Sequence, residues 1–149
     1  MTGKVDFYVL EDSEPAGRLR LACRIAEKAY LAGRAVLIWH TDPVELAELD
    51  DLLWTFADRS FVPHETLLAP GAATEAPVLL SAGIIPERRH DVLINLADDV
   101  PPFLDRVDRV ADIVDGAEAR RRAGRARFRA YRDAGVEPET HKIGLRAEG

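Results

Sequence analysis

The hydrophobic positions in the first forty residues change from strand spacing to helix spacing and back. Residues 5–10 are rich in β-branched and aromatic side chains, which predicts a strand. Residues 17–32 carry apolar side chains at helical intervals, and residues 35–39 are almost continuously apolar, as in a strand buried on both faces of a parallel sheet. This order predicts a βαβ unit with a right-handed crossover.

The later hydrophobic runs extend the same alternation. Asp42 and Pro43 begin a second helix as N-cap and first helical residue, and Glu45 is placed to complete a capping box. Further strands are predicted over residues 77–81, 91–96 and 110–114, and a last helix is predicted over residues 117–135. We therefore expect an α/β fold with a Rossmann-like, mostly parallel sheet and helices on both faces. The chain is predicted to be a single domain, residues 1–149, in which residues 136–149 form an extended or flexible tail.

The last helix sorts its side chains into two unlike faces. One face carries small residues and is expected to pack against the sheet: Ala119, Ala123, Ala126, Ala130 and Ala134. The opposite side carries the basic residues and one aromatic ring: Arg121, Arg125, Phe128, Arg129 and Arg132. Amphipathic helices normally turn a large apolar side chain inward, so the position of Phe128 indicates a docking surface for a ligand that is both anionic and apolar. The alternatives are an ordinary solvated helix and a loop that covers Phe128.

A second exposed apolar patch is predicted at the end of the second helix. The core stripe of that helix consists of Leu46, Leu49, Leu52, Leu53 and Phe56. Trp54 lies off this stripe and is followed by the apolar loop Phe61-Val62-Pro63-His64, in which His64 is expected to hydrogen-bond within the loop. This combination predicts either a protein-binding patch or a loop that folds over Trp54 as a small cluster.

Composition narrows the possible partners. The 149 residues carry a formal net charge of −6, which argues against sequence-independent binding to duplex DNA. The single cysteine, Cys23, cannot form an internal disulfide and is expected to be a small packing residue. No apolar run is long enough to span a bilayer and no signal peptide is recognisable, so we expect a cytoplasmic protein without membrane contact.

The sequence offers no recognisable catalytic or cofactor site. The turn after the first strand, residues 11–17, has neither a Gly-x-Gly-x-x-Gly motif nor a Walker lysine, and its three acidic side chains would repel a pyrophosphate. The four histidines have no cysteine or carboxylate at ligand spacing, so no metal is expected. No serine or carboxylate pair has the context of a nucleophile or an acid/base dyad. We therefore expect no nucleotide site, no catalytic residues and no cofactor.

Several stretches together resemble one family, the chi subunit of the bacterial DNA polymerase III clamp-loader complex. They occur in the family's order and cover the chain from about residue 5 to residue 135. The matching stretches are Phe7-Tyr8, Leu53-Trp54, Ser60-Phe61-Val62-Pro63-His64, Arg89-His90-Asp91-Val92-Leu93-Ile94-Asn95-Leu96 and Arg125-Ala-Arg-Phe-Arg-Ala-Tyr-Arg-Asp-Ala-Gly135. The position of Phe128 often holds Trp or Tyr in this family.

The resemblance implies a Rossmann-like fold without nucleotide binding and a non-catalytic adaptor role in DNA replication. Such an adaptor links the clamp loader to single-stranded DNA-binding protein by holding that protein's acidic, Phe-ended C-terminal tail, and it contacts nucleic acid only indirectly. The tail would be bound by Arg121, Arg125, Phe128, Arg129 and Arg132. The psi subunit of the clamp loader, or another protein at the same patch, would be bound by Trp54, Phe61, Val62, Pro63 and His64.

Two other functions are compatible with the residue pattern. The chain could be an enzyme on a degenerate Rossmann fold, acting on a phosphate-bearing substrate held by the arginine-rich helix, or that helix could bind nucleic acid directly. The absence of a glycine-rich turn weighs against the enzyme, and the net negative charge weighs against direct binding to nucleic acid.

Overall fold

The computed structural model describes residues 2–57, 61–72 and 75–143, which form one parallel sheet flanked by helices. Its strands are β1 (Lys4–Leu10), β2 (Val36–His40), β3 (His64–Thr66), β4 (Val78–Ala82), β5 (His90–Asn95), β6 (Val107–Val114) and β7 (Glu139–Ile143). Its helices are α1 (Gly17–Leu31), α2 (Pro43–Thr55) and α3 (Glu118–Asp133), and one 3-10 turn covers Leu104–Arg106. None of the helices in this part of the chain is long and apolar enough to cross a membrane.

The strand order is β3-β4-β2-β5-β6-β1-β7, and every pairing in the sheet is parallel. The predicted α/β class and the predicted strands are therefore confirmed. In the predicted βαβ unit the two strands are not neighbours, because β5 and β6 lie between β2 and β1. Neither edge strand was predicted from the sequence. β3 begins at the end of the predicted apolar loop, and β7 lies within the predicted tail, of which residues 144–149 are outside the described part.

Two hydrophobic cores lie on opposite faces of the sheet. α1 and α2 pack against each other and cover one face, whereas α3 covers the other face next to β6. Alternate residues of β2 pack into the two cores. Val36 and Ile38 face the α1–α2 pair, and Leu37 and Trp39 face the side of α3. Burial on both faces explains why this strand is apolar at nearly every position.

The Arg89-His90-Asp91 stretch, one of those that carry the family resemblance, has a structural role. The Asp91 carboxylate accepts a hydrogen bond from the Ala35 backbone nitrogen at 2.7 Å, and Arg89 forms an ion pair with Asp108. The His90 side chain is buried, and its Nε2 has no hydrogen-bond partner among the described residues. Burial, with the positive charge of Arg88, lowers the pKa of His90 from 6.5 to about 4. The imidazole is therefore neutral in the folded protein at pH 7.

Acidification should destabilise the protein through His90. Because the pKa of His90 is lower in the folded than in the unfolded chain, its contribution to stability is fully present above pH 6.5 and is lost as the pH falls toward 4. The loss should approach about 3 kcal/mol. Urea unfolding at pH 7.5, 5.5 and 4.5 measures it, with His90→Gln as the reference because glutamine does not titrate. An equal pH dependence in both proteins would contradict this assignment.

Candidate protein-binding surfaces

The carboxyl ends of parallel strands are where open α/β sheets bind their ligands, and here the protein's own charges occupy that crevice. Arg18, at the start of α1, donates from one nitrogen to both oxygens of Glu45, each at 3.1 Å, and from another to the Leu96 carbonyl at 3.1 Å. His40 Nε2 lies 2.7 Å from Glu45 Oε1. Burial alone would raise the pKa of the Glu45 carboxyl, but the His40 hydrogen bond and the Arg18 charge bring it below its usual value.

This network also corrects the predicted capping box. Asp42 caps α2 as expected, since its carboxylate accepts from the Val44 backbone nitrogen at 2.9 Å. Glu45 does not reach back to the Asp42 nitrogen, which instead donates to His40 Nδ1 at 3.2 Å. The prediction was wrong because Arg18 and His40, both brought in by tertiary contacts, hold the Glu45 carboxylate.

Backbone fills the place where a nucleotide-binding fold would cradle a phosphate. Gly116, which follows β6, donates its N–H to the Asp12 carbonyl at 2.6 Å, so the loop after β6 packs directly on the turn after β1. A Cβ at Gly116 would lie only 2.7 Å from the Glu11 carbonyl oxygen, so this close approach requires glycine. The contact and the acidic side chains of the turn leave it without the features of a phosphate-binding loop.

The alanine face of α3 does not pack against the sheet, which corrects the prediction. Ala119, Ala126, Ala130 and Ala134 are exposed and Ala123 is only partly buried. The residues that α3 buries are Gly124, Arg127 and Tyr131.

A buried carboxylate on β6 explains this rotation of the helix. Asp112 is 0% exposed, and Arg127 donates to its two oxygens at distances between 2.7 and 3.1 Å. Tyr131 donates its hydroxyl to the same carboxylate at 2.9 Å, and Asn95 donates to it at 3.2 Å. A buried charge must be paired and hydrogen-bonded, so α3 turns Arg127 and Tyr131 inward.

The Asp112 carboxylate shifts the pKa values of its partners. Burial would by itself lower the pKa of Arg127, but the hydrogen bonds and charge of Asp112 raise it above the ordinary arginine value. Burial, together with the Asp112 charge, strongly raises the pKa of Tyr131. This network was not predicted from the sequence, although an aspartate inside the apolar run of residues 110–114 was a signal for it.

The rotation of α3 places its basic side beside a groove that we call the arginine groove. The groove has a volume of about 380 Å³ and lies between α3 and strands β1 and β7. It is lined by Phe7, Val9, Glu11, Val114, Arg121, Gly124, Arg125, Phe128, Thr140 and Lys142. α3 can approach the sheet here because Gly124 has no side chain, and a Cβ at that position would lie 2.8 Å from Val114 Cγ2.

The predicted tail-binding residues divide into two groups. Arg121, Arg125 and Phe128 line the arginine groove, and the half-buried Phe128 ring packs 5.4 Å from the Phe7 ring between centroids. Arg129 and Arg132 are exposed on α3 outside the lining, and Arg132 forms an ion pair with Glu137 at 3.1 Å.

The cations of the groove differ in how they are held. Arg121 donates to the Glu11 carbonyl at 3.3 Å, whereas Arg125 forms no ion pair among the residues that the structure describes. Lys142 of β7 adds a third cation to the lining, and Glu11 is the acidic residue of the lining. Neither Lys142 nor the apolar floor at Phe7 was predicted to belong to this site.

The residues of the second patch lie at the other edge of the sheet, next to β3. Trp54 and Phe61 are 56% and 63% exposed, and their ring centroids are 5.8 Å apart. The His64 ring lies 4.7 Å from the Trp54 ring, so these three residues form a cluster that we call the aromatic patch. The loop thus contacts Trp54, as one alternative predicted, yet both large aromatic residues remain exposed.

The remaining loop residues have structural positions. His64 is hydrogen-bonded as predicted, with Nδ1 2.7 Å from the Val62 carbonyl and Nε2 2.7 Å from Asp50 Oδ1. Its side chain is only 1% exposed and is therefore not available to a partner, contrary to its predicted role. Val62 is 1% exposed and belongs to the core beneath α2, so its side chain is not available to a partner, contrary to its predicted role. Pro63 is half-buried. Ser60 of the same stretch lies outside the described residues.

An α/β protein with a filled ligand crevice and exposed arginine and aromatic surfaces has the features of a protein-binding rather than a nucleotide-binding domain. Residues 1–139 match the family described as the DNA polymerase III chi subunit, HolC, and the chain belongs to that family. Membership gives it an accessory role in DNA replication.

Curated relatives cover almost the whole chain. The DNA polymerase III subunit chi of Pseudomonas aeruginosa is 41% identical over 140 residues, which are 94% of this chain and 96% of the relative. The protein of the same name from Escherichia coli is 32% identical over 142 residues, covering 90% and 94% of the two chains. That of Haemophilus influenzae is 28% identical over 147 residues, covering 97% and 100%.

Proposed function

We propose that this protein is a non-catalytic, cytoplasmic adaptor subunit of the DNA polymerase III holoenzyme. It links the clamp loader to single-stranded DNA-binding protein by holding the acidic C-terminal tail of that protein during DNA replication. The observation that supports this proposal best is the arginine groove, which is lined by Arg121, Arg125 and Lys142 together with the Phe128 ring. Three cations and one carboxylate line this groove in a chain of net charge −6.

The groove suits the end of an acidic tail that terminates in Pro-Phe. Its volume of about 380 Å³ is at the small end of the range for ligand pockets, enough for one aromatic ring and its carboxylate. Phe7 and Phe128 offer an apolar surface on which a terminal phenyl ring can pack. Arginine can bind a carboxylate bidentately, and Arg125 is an exposed residue of the groove lining.

The aromatic patch is proposed as the site for the psi subunit of the clamp loader, or for another protein at the same place. Trp54 and Phe61 are large exposed aromatic side chains, the type that dominates binding energy at protein interfaces. The patch adjoins edge strand β3, whereas the arginine groove adjoins edge strand β7. An adaptor with these two sites can hold two partners at once on opposite edges of its sheet.

Removing the aromatic patch should cost binding rather than stability. Trp54→Ala and Phe61→Ala should leave the melting temperature nearly unchanged, since both side chains are more than half exposed, and they should abolish association with the clamp loader. Thermal unfolding and co-purification with the clamp loader measure the two effects. Val62→Ala is the matched control, since truncating this core neighbour should lower the melting temperature. A large loss of stability with association intact would contradict the proposal.

A direct test of the tail-binding function compares three ligands on the same protein. Calorimetric titration with a peptide ending in acidic residues and Pro-Phe should show saturable binding that weakens as salt increases. Nucleotides and bare oligonucleotides should not bind at the same concentrations. Nucleotide binding without peptide binding would favour the enzyme on a degenerate Rossmann fold, with a phosphate-bearing substrate. Oligonucleotide binding alone would favour direct recognition of nucleic acid.

A further inference from the structure

Strand β7 brings three potential metal ligands together at the edge of the sheet. In the parallel register with β1, Asp6 lies opposite Glu139 and Tyr8 lies opposite His141. Residues two apart on a strand point to the same face, so the Asp6, Glu139 and His141 side chains share one side of the sheet. Among the described residues, one carboxylate oxygen of each acid and one His141 nitrogen lie within 4.8 Å of one another.

We propose that Asp6, Glu139 and His141 form a binding site for a divalent transition-metal cation, Zn²⁺ being the best match to the donor set. Two carboxylates and one imidazole are ligands that Zn²⁺ takes readily, whereas Mg²⁺ and Ca²⁺ prefer oxygen alone. Tetrahedral coordination with bonds of about 2.0–2.2 Å places ligand atoms roughly 3.3–3.6 Å apart. His141 Nε2 lies 2.8 Å from Asp6 Oδ1 and 4.0 Å from Glu139 Oε2, so the present separations bracket that spacing.

The ligands combine two positioned groups with one adjustable group. Asp6 is buried, and Arg109 donates to its Oδ2 at 3.1 Å, which leaves Oδ1 directed toward His141. The His141 ring stacks on Tyr8 at 5.1 Å between centroids with 23° between the planes. Glu139 is exposed and can close the remaining distance by side-chain rotation. An ion would replace the present hydrogen bond between His141 and Asp6.

Nearby charges and space set the character of this site. Arg109 binds Asp6, and Lys4 lies 3.8 Å from Glu139, so the two carboxylates are partly neutralised and the affinity should be moderate. Asp6 also lines a cavity of about 340 Å³, from which water can complete the coordination shell. The expectation of no metal rested on spacing along the chain, whereas Asp6 is 133 residues from Glu139 and meets it only through the strand register.

A cation at this site would strengthen one wall of the arginine groove. β7 is an edge strand that pairs with β1 alone, and the ion would add a second link between the two strands. Thr140 and Lys142, which alternate with the metal ligands along β7, line the groove on the opposite face of the sheet. This consequence rests on the proposed function, whereas the metal site itself does not.

The test uses the full chain and three single variants. Zn²⁺ titration by calorimetry, with Co²⁺ absorption as a report of coordination geometry, should show one saturable site. His141→Ala and Glu139→Gln should weaken binding by about tenfold or more. Glu137→Gln, an exposed acid of the same segment that pairs with Arg132, should leave it unchanged. Zn²⁺ should also slow hydrogen exchange of the β7 amides in the wild type and not in His141→Ala.

Two results would overturn the proposal. One is the absence of saturable binding at millimolar Zn²⁺, and the other is equal affinity in the wild type and His141→Ala, which would place the ion elsewhere. Because these measurements need no peptide, they succeed or fail independently of tail binding.

Discussion

Replacing Asp112 with alanine should reduce the free energy of unfolding by about 3–5 kcal/mol. The substitution leaves the Arg127 guanidinium buried without its counter-charge and removes the acceptor of the Tyr131 hydroxyl. It also removes the contact that sets the rotation of α3, so the arginine groove should be distorted as well. Chemical denaturation followed by circular dichroism measures the loss of stability.

A control on the same strand separates this effect from the general loss of an ion pair. Asp108 pairs with Arg89 at the surface, and Asp108→Ala should lower the free energy of unfolding by no more than about 1 kcal/mol. The triple variant Asp112→Leu, Arg127→Met and Tyr131→Phe should recover much of the loss of stability, since apolar groups of similar size need no partner. Asn95, the fourth member of the network, keeps the Ala97 and Asp99 carbonyls as acceptors. If Asp112→Ala cost no more than Asp108→Ala, the buried network would not determine the orientation of α3.

Arg125→Ala should weaken binding of the tail peptide by about 2 kcal/mol or more, roughly 30-fold. An exposed charge pair contributes only about 0.2–1 kcal/mol, but a carboxylate held between Arg125 and the Phe128 ring would be partly desolvated and would bind more strongly. Phe128→Ala should also weaken binding, with little change in salt dependence, because the lost contact is apolar. The double variant should show no measurable binding.

The controls come from the same helix. Arg122 is exposed outside the groove lining and pairs with Glu118, so Arg122→Ala should leave binding almost unchanged. Arg129→Ala and Arg132→Ala should weaken peptide binding less than Arg125→Ala does, because neither side chain lines the groove. Since Phe128 packs on Phe7, the melting temperature of each variant must accompany its titration at low and high salt. Binding that survives loss of Arg125 and Phe128 together would place the tail site elsewhere.

Local patterns were sufficient for much of the fold. The continuous apolar run of β2 predicted burial on both faces, because a strand between two helix layers has no polar side. Asp42 was recognised as an N-cap, since that geometry depends on neighbouring residues alone. The exposure of Trp54 followed from its angle to the leucine stripe of α2. In each case the pattern that makes the prediction possible lies within a few residues along the chain.

The sequence predicted which kinds of residue form the candidate surfaces, but the structure corrected where several of these residues lie. Arg125 and Phe128 lie on the same side of α3 because helical geometry requires it, and this much was readable from spacing. The membership of Phe7 and Lys142 in the groove was not readable, since it depends on which strands lie beneath the helix. Val62 was assigned to the aromatic patch and is instead in the core, because an irregular loop has no period from which to infer direction.

The orientation of α3 separates what the local sequence determines from what tertiary contacts determine. Its length, its basic character and the separation of arginines from alanines are consequences of sequence and helix geometry, and from them the sequence predicts a surface for an anionic, apolar ligand. Which face meets the sheet is instead set by Asp112, fifteen residues from Arg127 and on another element. Burying an unpaired carboxylate costs more than exposing a stripe of alanines, so the ion pair prevails over the small-residue face. The face that α3 turns toward the sheet depends on a residue that is distant in sequence, so the periodicity of the helix alone cannot predict it.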